Sequence, residues 1–248
     1  MTPNESNTNY IVQIENLKKS FEENDVLKDV NLSVEKGENV AIIGQSGIGK
    51  SVLIKCMVRL IEPDQGNIHI FGHDMLSADE DHLDEIRKNI GFLFQGGALY
   101  DSMTVRENLE FPVRRNEKFD REEINQRVVE VLESVKLKEA INLYPSELSG
   151  GMKKRIALAR TLIMKPQLIL FDEPTTGLDP ITSKEISNLI VKIKNIYNTT
   201  SMIITHDTTC VRITASKIYV LKDGIFYASG TYDEMKQSKD PWIQKFFN

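Results

Sequence analysis

The stretch Gly44-Gln45-Ser46-Gly47-Ile48-Gly49-Lys50-Ser51 constrains this chain more than any other feature, because it fits GxxxxGK[ST] and is flanked by two apolar runs. Asn39-Val40-Ala41-Ile42-Ile43 has the length of a buried strand, and Lys50 to Ile61 reads as a buried helix. Strand, glycine-rich loop and helix in that order build an anion site. The glycines let backbone N–H groups turn inward around phosphate oxygens, and the helix N-terminus adds partial positive charge. In such a loop Lys50 reaches the β and γ phosphates of a nucleotide and the Ser51 hydroxyl ligates Mg2+.

The surrounding pattern alternates. β-type runs begin at Ile11, Val12 and Ile14 and continue through Val26 to Val34, and further runs cover Asn67 to Phe71 and Ile90 to Phe94. Leu168 to Phe171 and Met202 to Thr205 read as buried strands, with one helix face formed by Ile186, Leu189, Ile190 and Ile193 between them. That order predicts an α/β fold with an open, mostly parallel sheet. Ile218 to Leu221, the turn pair Asp223-Gly224 and Ile225 to Ala228 predict a hairpin, and Thr231 with Glu234 caps a last helix. Between Gly96 and Arg160 the character is helical, with Asp120 and Glu123 as a capping box ahead of Ile124, Val128, Val131, Leu132 and Val135. The expected organisation is a polar tail over residues 1–9, a nucleotide-binding core over 10–95 and 161–248, and a helical insert over 96–160.

Composition narrows the partners. Lys and Arg number 31 against 36 Asp and Glu, and the net charge of -5 supplies no overall field toward nucleic acid or anionic lipid. The two cysteines, Cys56 and Cys210, form no CxxC, which predicts buried thiols in a reducing compartment. Met1 to Asn9 is polar where a secretory leader is apolar, and no run approaches the roughly 18 apolar residues of a membrane span. Any membrane role is expected to run through a partner.

Two carboxylates, Asp172 and Glu173, follow the run Leu168 to Phe171, at the strand end where open α/β sheets bind ligands. Beside a phosphate loop, Asp172 is expected to hold the Mg2+ shell and Glu173 to polarise the water that attacks the γ phosphate, since phosphoryl transfer mostly requires positioning and charge compensation. His69 and His73 sit four apart in a β-patterned run, a spacing that separates extended rings by about 13 Å and disfavours a zinc site.

Leu148-Ser149-Gly150-Gly151-Met152, followed by a helical stretch from Lys153 to Arg160, resembles the signature motif of the ATP-binding cassette ATPases. The order of the other motifs is similar from about Tyr10 to Gly230. The resemblance implies a P-loop NTPase core with a mostly parallel sheet, an N-terminal antiparallel β part and an inserted helical subdomain. It makes Gln95 the Q-loop glutamine and a Mg2+ contact, Gly177-Leu178-Asp179 the D-loop, and His206 the switch histidine beside the catalytic Glu173. Phe21, with Tyr10 as a weaker candidate, takes the position where the family stacks an aromatic ring on adenine; on spacing alone Phe21 reads equally as core. ATP and Mg2+ are the implied ligands. The implied assembly is a head-to-tail homodimer in which Ser149, Gly150 and Gly151 close over the ATP held by the partner's phosphate loop. By itself Ser-Gly-Gly is only a flexible helix start. Two positions depart from the family's usual pattern: Ile48, where a small or polar residue is frequent, and Val52, where threonine often follows the Mg2+ serine. Only the backbone needs to meet phosphate at Ile48, so the departure is compatible with function.

Within the family, Gly96 to Asn108 with Phe111-Pro112, Gly49 to Lys55 and Gly177 to Ser183 are similar to the Mla and Mce-type lipid-transport ATPases. That resemblance implies an ATPase subunit at the cytoplasmic face of the inner membrane, peripheral through an integral-membrane permease, with a lipid-binding Mce-type subunit and no nucleic acid. Two other readings stay open: the same engine for a polar solute such as an amino acid or metal, and a soluble ATP-driven factor acting on ribosomes or chromosomes. The third is disfavoured by the lack of tandem cassettes or a long heptad insert, and a P-loop kinase by the presence of Ser149-Gly150-Gly151 and His206.

Overall fold

The computed structural model describes residues 9–114 and 119–247; the tail expected over residues 1–9 therefore lies outside the described residues except for Asn9, whose carbonyl accepts from the Lys36 N–H. β1 (Tyr10–Phe21) and β2 (Asn24–Glu35) form a long antiparallel hairpin. β3 (Asn39–Ile43) leads through the glycine-rich loop into α1 (Lys50–Met57). β4 (Gln65–Ile70) pairs antiparallel with β1 and with the short β5 (His73–Asp74), and α2 (Glu80–Arg87) precedes β6 (Ile90–Leu93). The helical stretch holds α3 (Val105–Arg114), α4 (Arg121–Ser134), two single 3-10 turns and α5 (Gly150–Leu162). Then come β7 (Leu168–Asp172), α6 (Pro180–Tyr197), β8 (Thr200–Ile204), α7 (Thr208–Thr214), the β9–β10 hairpin (Lys217–Lys222, Ile225–Gly230), α8 (Tyr232–Gln237) and α9 (Pro241–Phe247).

The strands form a ten-stranded sheet in the order β5-β4-β1-β2-β10-β9-β3-β8-β7-β6. Its first four strands are antiparallel, and β9, β3, β8, β7 and β6 run parallel. Strands buried on both faces need continuous apolar sequence. Accordingly Leu168 and Leu170 of β7 pack with α1 and the antiparallel part, while Ile169 and Phe171 pack with α3, α4, α5 and α6. Ala41 and Ile43 of β3 face a third cluster with α7, α8 and α9. The helical stretch thus shares one apolar cluster with the sheet. Cys56 and Cys210 are fully buried, and burial pushes both thiols up to about 11.

Three expectations are corrected. The helix expected over Lys50 to Ile61 stops at Met57: Arg59 adopts φ 53, and Leu60 N–H donates to the Lys55 carbonyl (2.8 Å) while Arg59 N–H donates to that of Cys56 (2.9 Å). This is a Schellman closure built without glycine. His69 and His73 do not lie on one extended strand, because Phe71 and Gly72 both take positive φ and turn the chain, pairing Ile70 with His73. The His73 ring instead meets His82, edge to face, with centroids 4.9 Å apart. Finally, the helix capped by Thr231 is followed by another, α9, started by the Asp240 carboxylate accepting from Trp242 and Ile243 N–H groups.

Candidate active site

Parallel strands that end side by side place whatever follows them along one edge, and the strand order changes direction at β3, which lies between β8 and β9. The loop Gly44–Gly49 follows β3, Gln95 follows β6, Asp172 ends β7 with Glu173 next, and His206 follows β8. Ser46, Gly47, Gly49, Lys50, Ser51, Val52, Gln95, Glu173, Thr176 and His206 line one cleft of about 410 Å³.

Gly49 caps α1 at φ 108, and a Cβ there would stand 2.6 Å from Val26 Cγ1, so both backbone and space require glycine. The next residue, Lys50, is buried and donates from Nζ to the carbonyls of Gly44 (2.8 Å) and Gln45 (2.9 Å). Burial pushes its pKa down, against the opposing pull of Glu173 and Asp172. Ile48 donates its N–H to Gln45, and its side chain packs on the core. Ser51 Oγ donates to Asp172 Oδ1 at 2.9 Å.

Glu173 leaves β7 at φ 52, a left-handed conformation that costs a non-glycine residue roughly 1–2 kcal/mol. Its N–H donates to Ile204 (2.8 Å), and its Oε2 accepts from Thr176 Oγ1 (2.9 Å) and lies 2.9 Å from His206 Nδ1. A carboxylate bracketed in this way is aimed into the cleft, where it can receive a proton from a water. The juxtaposed Ser51 hydroxyl and Asp172 carboxylate are hard oxygen donors. They fit Mg2+, which takes one or two protein ligands, keeps several waters and completes its shell with substrate phosphate.

Other expected site residues stand apart from this cleft. Ser149 is the N-cap of α5, its Oγ accepting from Met152 N–H, with Gly150 exposed and Gly151 half-buried at the helix start. Asp179 caps α6 through Ile181 and Thr182 N–H groups, both at 3.0 Å. A Cβ on Gly151 would meet Thr182 Cγ2 at 2.7 Å, so these two helix starts touch. Phe21 is 44% exposed at the end of β1, outside the cleft lining, with Lys19 Nζ 5.3 Å from its ring centroid; Tyr10 is exposed at the start of β1.

Sequence reasoning passed over three residues. Thr176 was signalled by its i+3 spacing from Glu173, the reach of a turn. Asn108, fully buried, accepts from Tyr100 N–H and donates to the carbonyls of Tyr100, Met103 and Thr104, which fixes the loop after Gln95. Lys154 is buried within α5, donating to the Gln95 carbonyl; burial lowers its pKa against Asp172 and Glu173. Its helical position was legible, its burial was not.

Residues 27–176 match the family model described as ABC transporter. Among curated proteins, the chain is 39% identical over 238 residues to the intermembrane phospholipid transport system ATP-binding protein MlaF of Haemophilus influenzae, covering 95% of this chain and 89% of that protein. It is 37% identical to the probable ribonucleotide transport ATP-binding protein mkl of Mycobacterium leprae, covering 96% and 68%. Among solved structures, the dimeric post-hydrolysis state of the ATP-binding cassette MJ0796 with ADP and Pi superposes with a TM-score of 0.81 at 34% identity, over 89% of this chain and 98% of that one.

Proposed function

Because the chain belongs to the ABC transporter family of ATPases, which hydrolyse ATP to drive transport, we propose that it is the engine of a phospholipid transporter, energising a separate membrane permease by ATP-driven closure of a homodimer. The observation that carries the ATPase chemistry is the convergence of Lys50, the Ser51–Asp172 pair and the Glu173–His206 pair at the ends of adjacent strands. On binding MgATP, Lys50 exchanges the Gly44 and Gln45 carbonyls for phosphate oxygens, and Phe21 stacks on adenine. Ser51, Asp172 and Gln95 would hold Mg2+, which would supply positive charge to offset that of the β and γ phosphates. Glu173 accepts a proton from the attacking water as its oxygen bonds to the γ phosphorus. The bond from that phosphorus to the β–γ bridging oxygen breaks, and ADP and phosphate leave. His206 holds the Glu173 carboxylate in line. Ser149, Gly150, Gly151 and Asp179 act on the partner copy's nucleotide.

A permease as partner is supported by a groove of about 640 Å³ between β6, α3 and α5, where Phe92 and Phe94 stack and Arg160 lies over Tyr100. Among the described residues no helix is long and apolar enough to cross a membrane. The place of work in this reading is the cytoplasmic face of the inner membrane, beneath the permease. Phospholipid as cargo rests on the similarity to MlaF; the similarity to mkl supports a second reading, a polar solute. Mass spectrometry of the complex that co-purifies from detergent-solubilised membranes, reading proteins and lipids together, separates them. A permease with a lipid-binding Mce-type subunit and enriched phospholipid is the expected result. A permease with a polar-solute receptor moves the cargo to the second reading, and ribosomal or chromosomal proteins without a permease overturn both.

A further inference from the structure

Lys154 lies in the first turns of α5, 8% exposed, on a helix that already buries Ile156, Ala157, Leu158 and Ala159. Burying an ammonium costs several kcal/mol unless its donors and charge are met, so packing alone does not account for a lysine here. Its Nζ donates to the main-chain carbonyl of Gln95 and, at 3.5 Å, to that of Glu173. Those residues follow β6 and β7, neighbours in the parallel sheet, at the points where the strand ladders run out. Glu173 is also the residue held at φ 52, and its carbonyl additionally accepts from Thr176 N–H at 3.3 Å. One side chain of α5 therefore grips both the turn that aims the Glu173 carboxylate and the segment that begins with Gln95. Arg160, on the same helix, donates to the Ala98 carbonyl farther along that segment.

We propose that Lys154 is a positioning residue for hydrolysis, one that transmits movement of α5 to Gln95 and Glu173 through their carbonyls; the inference rests on the proposed roles of Gln95, Glu173 and the α5 N-terminus. When the start of α5 engages the partner copy's nucleotide, the same helix sets its own copy's glutamate. Closure at one site thereby readies the other, and a copy without a partner holds ATP without the final alignment.

The test uses the full chain with any membrane protein that co-purifies. Lys154→Met removes the donors at similar volume. Its expected effect is a roughly 10- to 100-fold fall in kcat, because sub-ångström to ångström misplacement of reacting groups costs about that much, with KM for ATP within about threefold. Lys154→Arg, which again supplies donors, restores most of the rate. In a Glu173→Gln background, Lys154→Met raises the ATP concentration needed to trap the dimer about tenfold, while nucleotide affinity at the phosphate loop holds. If Lys154→Met does not yield folded protein, Lys154→Gln, which keeps one neutral donor, is expected to fold and show the same split. Parental kcat in the Met or Gln variant overturns the proposal, as does an equal fall in kcat and ATP affinity. Glu173→Gln alone is the control: if it hydrolyses ATP at the parental rate, the active-site reading itself fails, whereas a dead Glu173→Gln beside parental Lys154 variants sinks this inference only.

Discussion

At the C-terminal edge of β3, β8 and β7, expected site residues already bond to one another, whereas at the start of α5 the exposed Ser149 and Gly150 and the half-buried Gly151 have no such set of partners among the described residues. Both places can attract anions, since the first N–H groups of a helix lack intrahelical acceptors. Only one has a lysine, a carboxylate pair and a histidine behind it. On the proposed function, the contrast makes a single copy the bearer of one assembled half-site and one open half-site. Under that function their union takes a second copy placed head to tail, so that each open face covers the other's assembled one.

The hardest blow to that contrast strikes the assembled side. Glu173→Gln keeps the size and one acceptor of the side chain and removes the base. The expected loss of phosphate release is roughly 10²- to 10⁴-fold, the range of general-base catalysis, with ATP retained and dimer accumulating in light scattering. A parental rate with Mg2+ present and contamination excluded would remove Glu173 from its role.

Head-to-tail pairing is sharpened by mixing two dead copies, one carrying Lys50→Ala and the other Gly151→Asp. Each mixed dimer then has one site with both lesions and one site with neither. Random mixing gives about half mixed dimers with one of two sites intact, so about a quarter of the parental rate should return if the sites act independently. No recovery, with mixed dimers demonstrated by mass, would mean that the signature residues serve their own copy's nucleotide.

The assembled side was also the legible side. Glycine spacing, a buried strand before it and a helix after it specify backbone, and the acids at Asp172 and Glu173 end an apolar run of buried-strand length, β7, which lies one strand away from β3, across β8. What escaped was decided by contacts across the chain. Arg59 ends α1 in a conformation that usually announces itself with glycine, and its guanidinium donates to the Ala78 carbonyl, which no local pattern encodes. Lys154 reads as one more surface charge in a run of Lys153, Lys154 and Arg155 until the Gln95 carbonyl is found beside it. The start of α9 is written locally in Asp240-Pro241, a cap followed by a proline suited to the first turn, close behind the helix that Thr231 caps.

On the open side, two adjacent glycines should separate by stability. Gly150→Ala meets only Leu178 Cδ2 at 3.7 Å, ordinary contact, whereas Gly151→Ala drives a methyl to 2.7 Å from Thr182 Cγ2. Thr182 cannot easily turn aside, because its Oγ1 donates to Asp179 Oδ2 at 2.6 Å. Overpacking of this kind costs about 1–3 kcal/mol, while alanine in place of a helical glycine gains up to about 1 kcal/mol. Thermal unfolding should therefore leave Gly150→Ala near the parent and lower Tm for Gly151→Ala by several degrees, at about 2–4 °C per kcal/mol for a chain of this size. Equal Tm values would show that α5 and α6 are free to part at their starts.

The smallest effect concerns the cap that holds those two starts together. Hydrogen bonds from the Thr182 hydroxyl, then from the Thr182 and Ile181 N–H groups, hold the Asp179 carboxyl below its ordinary pKa. A folded-state pKa below the unfolded value of about 3.9 means that the ionised cap contributes stability above that value and loses it as pH falls through the folded-state pKa. Asp179→Asn keeps a capping oxygen that does not titrate. The difference in Tm between parent and Asp179→Asn should be constant from neutral pH to about pH 5, then shrink on further acidification as the parent's carboxylate is protonated. Asp179 is exposed, so the change is expected to be slight and to weaken in salt. A difference that stays flat to pH 2.5 would mean that the Thr182 contact does not stabilise the ionised form, and the tight seam between α5 and α6 would then rest on Gly151 alone.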